Sequence, residues 1–157
     1  IQQTLLHGVR QPGDEETRMS QMPAFGRDGI LKPDEVQDVV SYVRVLSKQE
    51  RATASSKRGG ALFSANCVVC HGDAGKGTRA MGAPNLTDGI WLYGGDRDTI
   101  TETVTNARYG IMPAWGARLD PVTIKMLAIY VHSLGGGDKT PVDPAPEPAA
   151  APAVAAR

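Results

Sequence analysis

Cys67-Val68-Val69-Cys70-His71 is the stretch from which the rest of this chain is read. Two thiols three positions apart can meet the two vinyl groups on one edge of a porphyrin and hold it by thioether bonds. The residue after the second cysteine then lies under the iron, where an imidazole supplies one axial ligand. The motif reads as a covalent haem-attachment site, with Cys67 and Cys70 as attachment points and His71 on the metal. A zinc site would need two more Cys or His at ligand spacing. The chain has only two cysteines, and its other histidines, His7 and His132, stand alone. A thioredoxin-like redox pair would need a βαβ setting, and no Val- and Ile-rich strands flank the motif. A chance motif holding a structural disulfide is the remaining alternative.

Outward from the motif, the chain repeats itself. Ser20-Gln21-Met22-Pro23-Ala24-Phe25-Gly26 answers to Gly110-Ile111-Met112-Pro113-Ala114-Trp115-Gly116. Leu31, Pro33, Tyr42, Val43 and Leu46 answer to Leu119, Pro121, Tyr130, Val131 and Leu134. Ile1 and Thr4 answer more weakly to Ile100 and Thr103. Each unit holds a Met-Pro-Ala-aromatic-Gly turn followed by an amphipathic helix. The second copy includes the haem motif. The first would carry its own before Ile1, so a fragment cut inside a first haem domain is expected. A degenerate, haem-free pseudo-repeat is the alternative.

The periodicities predict an all-α fold. Pro33 can open a helix, with Asp34 and Glu35 at its positive end. Its apolar positions Val36, Val39, Val40, Val43 and Leu46 follow the helical period. A second helix runs from near Arg58 through Gly60, Leu62 and Phe63 into Cys67. Residues 72–82 are a glycine-rich loop, and 85–95 are short turns. Asp98 can cap a helix through Ile100, Val104 and Ala107. Pro121 opens the last helix, whose face is Ile124, Leu127, Ala128, Val131 and Leu134. Gly135 to Gly137 end it. The expected organisation is the C-terminal part of a first haem domain at 1–47, a linker at 48–57 and a complete domain at 58–135. A disordered Pro/Ala tail follows at 136–157.

A thioether would complete the iron's coordination and raise its reduction potential relative to a second histidine. Met126 sits in a helical pattern, where core filling is the default. Met81 follows His71 too closely to cross a ring, and Met19 lies outside the repeated turn. Met112 precedes Pro113, which stiffens the turn, and enough chain separates it from His71 to circle a haem edge. Spacing makes Met112 the leading ligand, with Met22, in the matching turn, the candidate for a second iron.

Zero net charge leaves no nucleic-acid footprint. Aromatic residues make up 5% of the chain, thin for a core that a haem would help to fill. No run of about 18 apolar residues is present, and neither a signal peptide nor an initiating Met is seen.

Residues 58 to 135 resemble a class I cytochrome c domain. Gly60, Phe63 and Tyr130 look like that family's contact between first and last helices. Pro84, in Ala83-Pro84-Asn85-Leu86, looks like the proline whose carbonyl receives the hydrogen bond of His71. Three features resemble more closely the dihaem subunit of cbb3-type cytochrome c oxidase: Gly82-Ala83-Pro84-Asn85-Leu86-Thr87-Asp88, Ile90-Trp91-Leu92-Tyr93-Gly94-Gly95, and the paired Met-Pro-Ala turns. That resemblance covers residues 1 to about 135. It implies one haem c on this chain and two in the intact protein. It also implies that the methionines can be exchanged, Met22 serving the haem on Cys67 and Cys70 and Met112 the other. Trp91, Tyr93 and Trp115 are expected to pack on the haem. Arg108 either pairs with a propionate or is an ordinary surface arginine.

With both axial positions filled by protein, such an iron moves single electrons and does little bond chemistry. The resemblance implies an oxidase subunit with no catalytic site of its own. Electrons would come from a soluble cytochrome c or the bc1 complex and pass to the monohaem and catalytic subunits. Its place would be the periplasmic face of the bacterial inner membrane, held by an anchor outside this chain. A free periplasmic dihaem carrier is the alternative. A haem enzyme or gas sensor with an open iron is a third reading.

Overall fold

Six helices carry the regular structure of residues 1–135, the part of the chain that the computed structural model describes. They are α1 (Gln2–His7), α2 (Pro33–Leu46), α3 (Ala54–Asn66), α4 (Val68–His71), α5 (Arg97–Asn106) and α6 (Pro121–Gly135). Among these residues only isolated bridges form, such as Val9 with Met112, and no strand. The all-α expectation holds. The tail expected at 136–157 lies outside the described residues.

Local chemistry sets the helix ends. Pro33 takes the first position of α2, and the Glu35 carboxylate accepts the Lys32 N–H at 2.8 Å. α3 starts at Ala54 rather than near Arg58, so part of the expected linker is helical. Thr53 explains this. Its hydroxyl accepts the Ser56 N–H at 3.1 Å, and Ser56 Oγ accepts the Thr53 N–H at 2.8 Å. The small polar residues that suggested a linker are a capped first turn. Asp96, not Asp98, caps α5, accepting the Thr99 N–H at 2.9 Å. Asp98 lies in the first turn, where its charge still favours the positive helix end.

The helix packing crosses the expected domain boundary. α3 and α5 both lie on α2, while α6 meets only α1 among the described helices. One core therefore joins Phe25, Leu31, Val36, Val39, Val40 and Val43 of the first repeat to Phe63, Cys67, Ile100 and Val104 of the second. The turns follow the same exchange. Arg27 N–H donates to the Thr105 carbonyl of α5 at 2.9 Å. In the second copy of the turn, Trp115 N–H donates to Leu5 of α1 at 2.9 Å and Gly116 N–H to Leu6 at 3.1 Å. One group contains the Met22 turn, α2, α3, α4 and α5. The other contains α1, the Met112 turn and α6.

The expected contact of Gly60 and Phe63 with Tyr130 is corrected accordingly. The Phe63 ring lies 5.2 Å from that of Tyr42, and a Cβ on Gly60 would stand 3.2 Å from the Tyr42 ring. Tyr130 is 60% exposed. The repeat makes the two tyrosines equivalent, and a neighbour separates them. Asp38 of α2 accepts hydrogen bonds from Ser55 at 2.6 Å and from Arg58 at 2.6 and 2.7 Å. The same register puts Met126 in α6 at that place. A thioether cannot pair with Arg58, so α3 has an ionic anchor on α2 and none on α6.

The hydrogen-bonded Arg58 guanidinium holds the Asp38 carboxyl below its usual range, against the opposing effect of its own desolvation. A lowered folded-state pKa contributes stability that is complete above the unfolded value, near 3.9, and fades as pH falls through the folded value. Melting temperatures should therefore separate wild type from Asp38→Asn above about pH 5 and converge as the pH approaches 2. A separation that persists unchanged at the acid end would show that the carboxylate charge is not what matters.

Candidate haem centre

Cys67 closes α3, its N–H donating to the Phe63 carbonyl at 2.8 Å. The single turn of α4 follows at once, with His71 N–H donating back to the Cys67 carbonyl at 2.9 Å. This short turn is what brings both sulfurs and the imidazole to one place, and both cysteines are free thiols. Burial pushes the Cys67 thiol up to about 11.

After the turn the chain is pulled back beneath the histidine. Thr78 Oγ1 donates to the Cys70 carbonyl at 2.8 Å, and Gly77 N–H donates to the His71 carbonyl at 2.8 Å. Gly77 has φ +76, and a Cβ there would stand 2.3 Å from the Ala83 carbonyl oxygen. Only glycine lets the loop come this close to the Ala83-Pro84 segment. Pro84 can then act as expected: its carbonyl accepts from His71 Nδ1 at 3.1 Å. A carbonyl only accepts, so Nδ1 carries the proton and Nε2 keeps its lone pair for a metal. Burial lowers the His71 pKa, against the opposing effect of the Pro84 bond. The neutral imidazole that results is the form that binds iron.

The donor set fits a c-type haem: two free thiols, and an imidazole oriented by its second nitrogen. Trp91 packs against the core that contains Phe63 and Cys67, with its Nε1 buried against Gly95.

The two methionines fall in different surroundings. Met22 packs against the core that contains Cys67 and Phe63. Two residues before it, Ser20 Oγ donates to the Met81 and Gly82 carbonyls, each at 3.2 Å, just ahead of Pro84. Met22 also lines a cleft of about 470 Å³ with Ala24, Arg108 and Tyr109. Met112 is paired instead with Val9 through both backbone bonds, each 3.0 Å. Trp115 lies beside α1, with the Arg118 guanidinium 5.5 Å from its ring. The Arg108 guanidinium stacks 4.7 Å over Tyr93 and donates to the Thr99 carbonyl and Thr103 Oγ1 at 2.7 Å each. Ser20 and Trp91 carry more of the site than the sequence reading gave them. So does Tyr42, which the repeat register alone could have marked as the rival of Tyr130.

A cysteine pair and a carbonyl-held histidine, set on one helical turn of an all-α core, define a c-type cytochrome unit. The comparisons are more specific. Residues 54–131 match the family described as cytochrome c oxidase, cbb3-type, subunit III, and the chain belongs to that family. It is 53% identical over 138 residues to the cbb3-type cytochrome c oxidase subunit CcoP of Cereibacter sphaeroides, covering 88% of this chain and 48% of that protein. It is 59% identical over 138 residues to subunit FixP of a Bradyrhizobium species, covering 87% and 47%. The Azorhizobium caulinodans FixP is 54% identical over 138 residues, covering 87% and 46%. The chain thus spans about half the length of the curated relatives it matches.

Proposed function

We propose that this chain is the part of a cbb3-type oxidase subunit that passes single electrons through a haem on Cys67 and Cys70 towards the oxygen-reducing subunit. His71 Nε2 and Met22 Sδ are the groups that would hold its iron. When bound, the haem supplies a one-electron couple between ferric and ferrous iron. The chain's own residues do the rest. Pro84 fixes the imidazole, and the α2–α3 core excludes water. Support for Met22 over Met112 comes chiefly from the packing of Met22 on the core that contains Cys67, reinforced by the Ser20 bonds that tie its turn to the Pro84 loop. Met112 and Trp115 belong by the same logic to a second haem unit, completed by residues outside this chain.

The donors in this reading are a soluble cytochrome c or the bc1 complex, and the acceptors are the monohaem and catalytic subunits. The subunit works at the periplasmic face of the inner membrane. No helix among the described residues is long and apolar enough to cross a membrane. Carbon monoxide tests the relay. Added to the reduced protein, it should leave the haem spectrum essentially unshifted on the seconds timescale, because both axial positions are filled. A fast, stoichiometric shift would mean an open iron and a different function.

A further inference from the structure

The two methionine turns meet at one side chain. Arg10 follows Val9, whose backbone pairs with Met112. Its Nε donates to the Gly110 carbonyl at 2.6 Å, and its Nη1 to the Ser20 carbonyl at 2.7 Å. These carbonyls are equivalent in the repeat, each two residues before a turn methionine, Met112 and Met22. The guanidinium also lies 5.5 Å from the centre of the Tyr109 ring, and Gln21 Nε2 donates to the Tyr109 hydroxyl at 2.9 Å. Arg10 has φ 57°, a left-handed conformation that a residue with a side chain seldom takes and that its surroundings must enforce. Its own N–H donates to the Arg18 carbonyl at 3.0 Å. The link reaches further. Ser20 Oγ donates to the Met81 and Gly82 carbonyls, and a Cβ on Gly82 would collide with that hydroxyl. Two residues on, Pro84 holds His71.

We infer that Arg10 is a positioning residue shared by the two turns, holding Met22 and Met112 in one register so that neither turn shifts alone. This rests on the reading that Met22 would hold the iron of the haem on Cys67 and Cys70. The Met22 turn goes with α2 and the Met112 turn with α6, so Arg10 also joins the two exchanged groups of helices. A guanidinium suits the task. Its donors are fixed in one plane, so Nε and Nη1 serve two carbonyls at once while the face lies on an aromatic ring. Hydrogen bonds from a charged donor are also the stronger kind. An ammonium keeps the charge but not the fork, so Arg10→Lys separates geometry from charge. Arg118 supplies the control. It too stacks on an aromatic ring of one turn, 5.5 Å from that of Trp115, and among the described residues it makes no hydrogen bond to the Met22 turn.

Free imidazole is the probe. It reaches ferric iron only when the axial methionine has left, so its apparent affinity reads the fraction of protein with that methionine off. In the haem-loaded chain, Arg10→Lys should bind imidazole at least about tenfold more tightly than wild type. Exchange of the Met112 N–H, which donates to the Val9 carbonyl, should quicken at least about tenfold in the same variant, as read by NMR. Arg118→Lys should change neither. The Val40 amide, in the core of α2, should exchange at the wild-type rate in both variants. Wild-type behaviour of Arg10→Lys in either measurement would overturn the inference, because the charge alone would then suffice. So would equal changes in Arg118→Lys, or an acceleration at Val40 that matches the one at Met112, which would be a general loss of stability. Met22→Ala is run alongside. A methionine-ligated spectrum that survives it counts against the ligand reading, whereas its loss beside an unchanged Arg10→Lys counts against the role of Arg10 alone.

Discussion

Met22→Ala abolishes the methionine-ligated spectrum of the haem on Cys67 and Cys70, and Met112→Ala leaves it in place: these are the expected results for the two single replacements. The thioether is a weak, soft donor that favours ferrous iron. Its loss should lower the reduction potential by on the order of 0.1 V or more, within the roughly 0.8 V that axial ligands command. Global stability should change far less, since Met22 is half-buried at the edge of the core rather than inside it. The thioether-to-iron absorption near the red end of the oxidised spectrum, followed with redox titration, reads both effects. The opposite pattern, with Met112→Ala removing the band, would restore the pairing that sequence spacing favours.

Gly59→Val should be among the most destabilising single changes in the chain. The helices α2 and α3 approach so closely that even a Cβ would fall 1.9 Å from the Asp38 carbonyl oxygen and 3.0 Å from Tyr42 Cβ. Neither neighbour is the end of a flexible side chain, so the helices must move apart and the Phe63–Tyr42 contact opens with them. A cost of about 3 kcal/mol or more is expected, at the upper end of overpacking penalties. Tyr130→Ala is the control. Its ring is largely exposed, and the change should cost less than about 0.5 kcal/mol. Denaturant midpoints of the haem-loaded proteins compare the two. A larger loss for Tyr130 than for Gly59 would mean that α3 lies on α6 after all.

The two positions also show where reading the sequence succeeds and where it stops. The all-α fold was legible because Pro33 and Pro121 open helices whose apolar faces follow the helical period. The His71–Pro84 bond was legible only through the resemblance of Ala83-Pro84-Asn85-Leu86 to the cytochrome c family, because spacing alone does not pair residues 13 apart across a loop. The partner of α3 was not. The repeat makes Tyr42 and Tyr130 chemically equal, and a local pattern says nothing about which of two equal surfaces a distant helix will choose. Asp38, bonded to Ser55 and Arg58 where α6 has Met126, is a difference between the two surfaces, and such a contact is visible only once the helices are in place. The same limit applies to the methionines. Chain length allows Met112 to reach the iron, but packing sets Met22 against the core that contains Cys67. The early start of α3 and the cap at Asp96 are smaller differences: Thr53 stands five residues before Arg58 and Asp96 two before Asp98, and each is a capping residue followed by another polar residue that could open the helix.

The exchange of α2 and α6 between the two repeats also constrains how such a protein can fold, be cut and evolve. Each half of the sequence supplies a wall to the other, so neither repeat can melt without uncovering its neighbour's core. Each exchanged set of helices should therefore unfold as one cooperative transition that involves both sequence repeats. Their shared contacts span distant parts of the chain, and folding should be slower than for two tandem modules of the same size. Expressing residues 58–135 by themselves would strand α3 and α5 without α2. The unit of folding is then not the sequence repeat but the exchanged set of helices, and cutting the chain between the repeats would leave both sets incomplete.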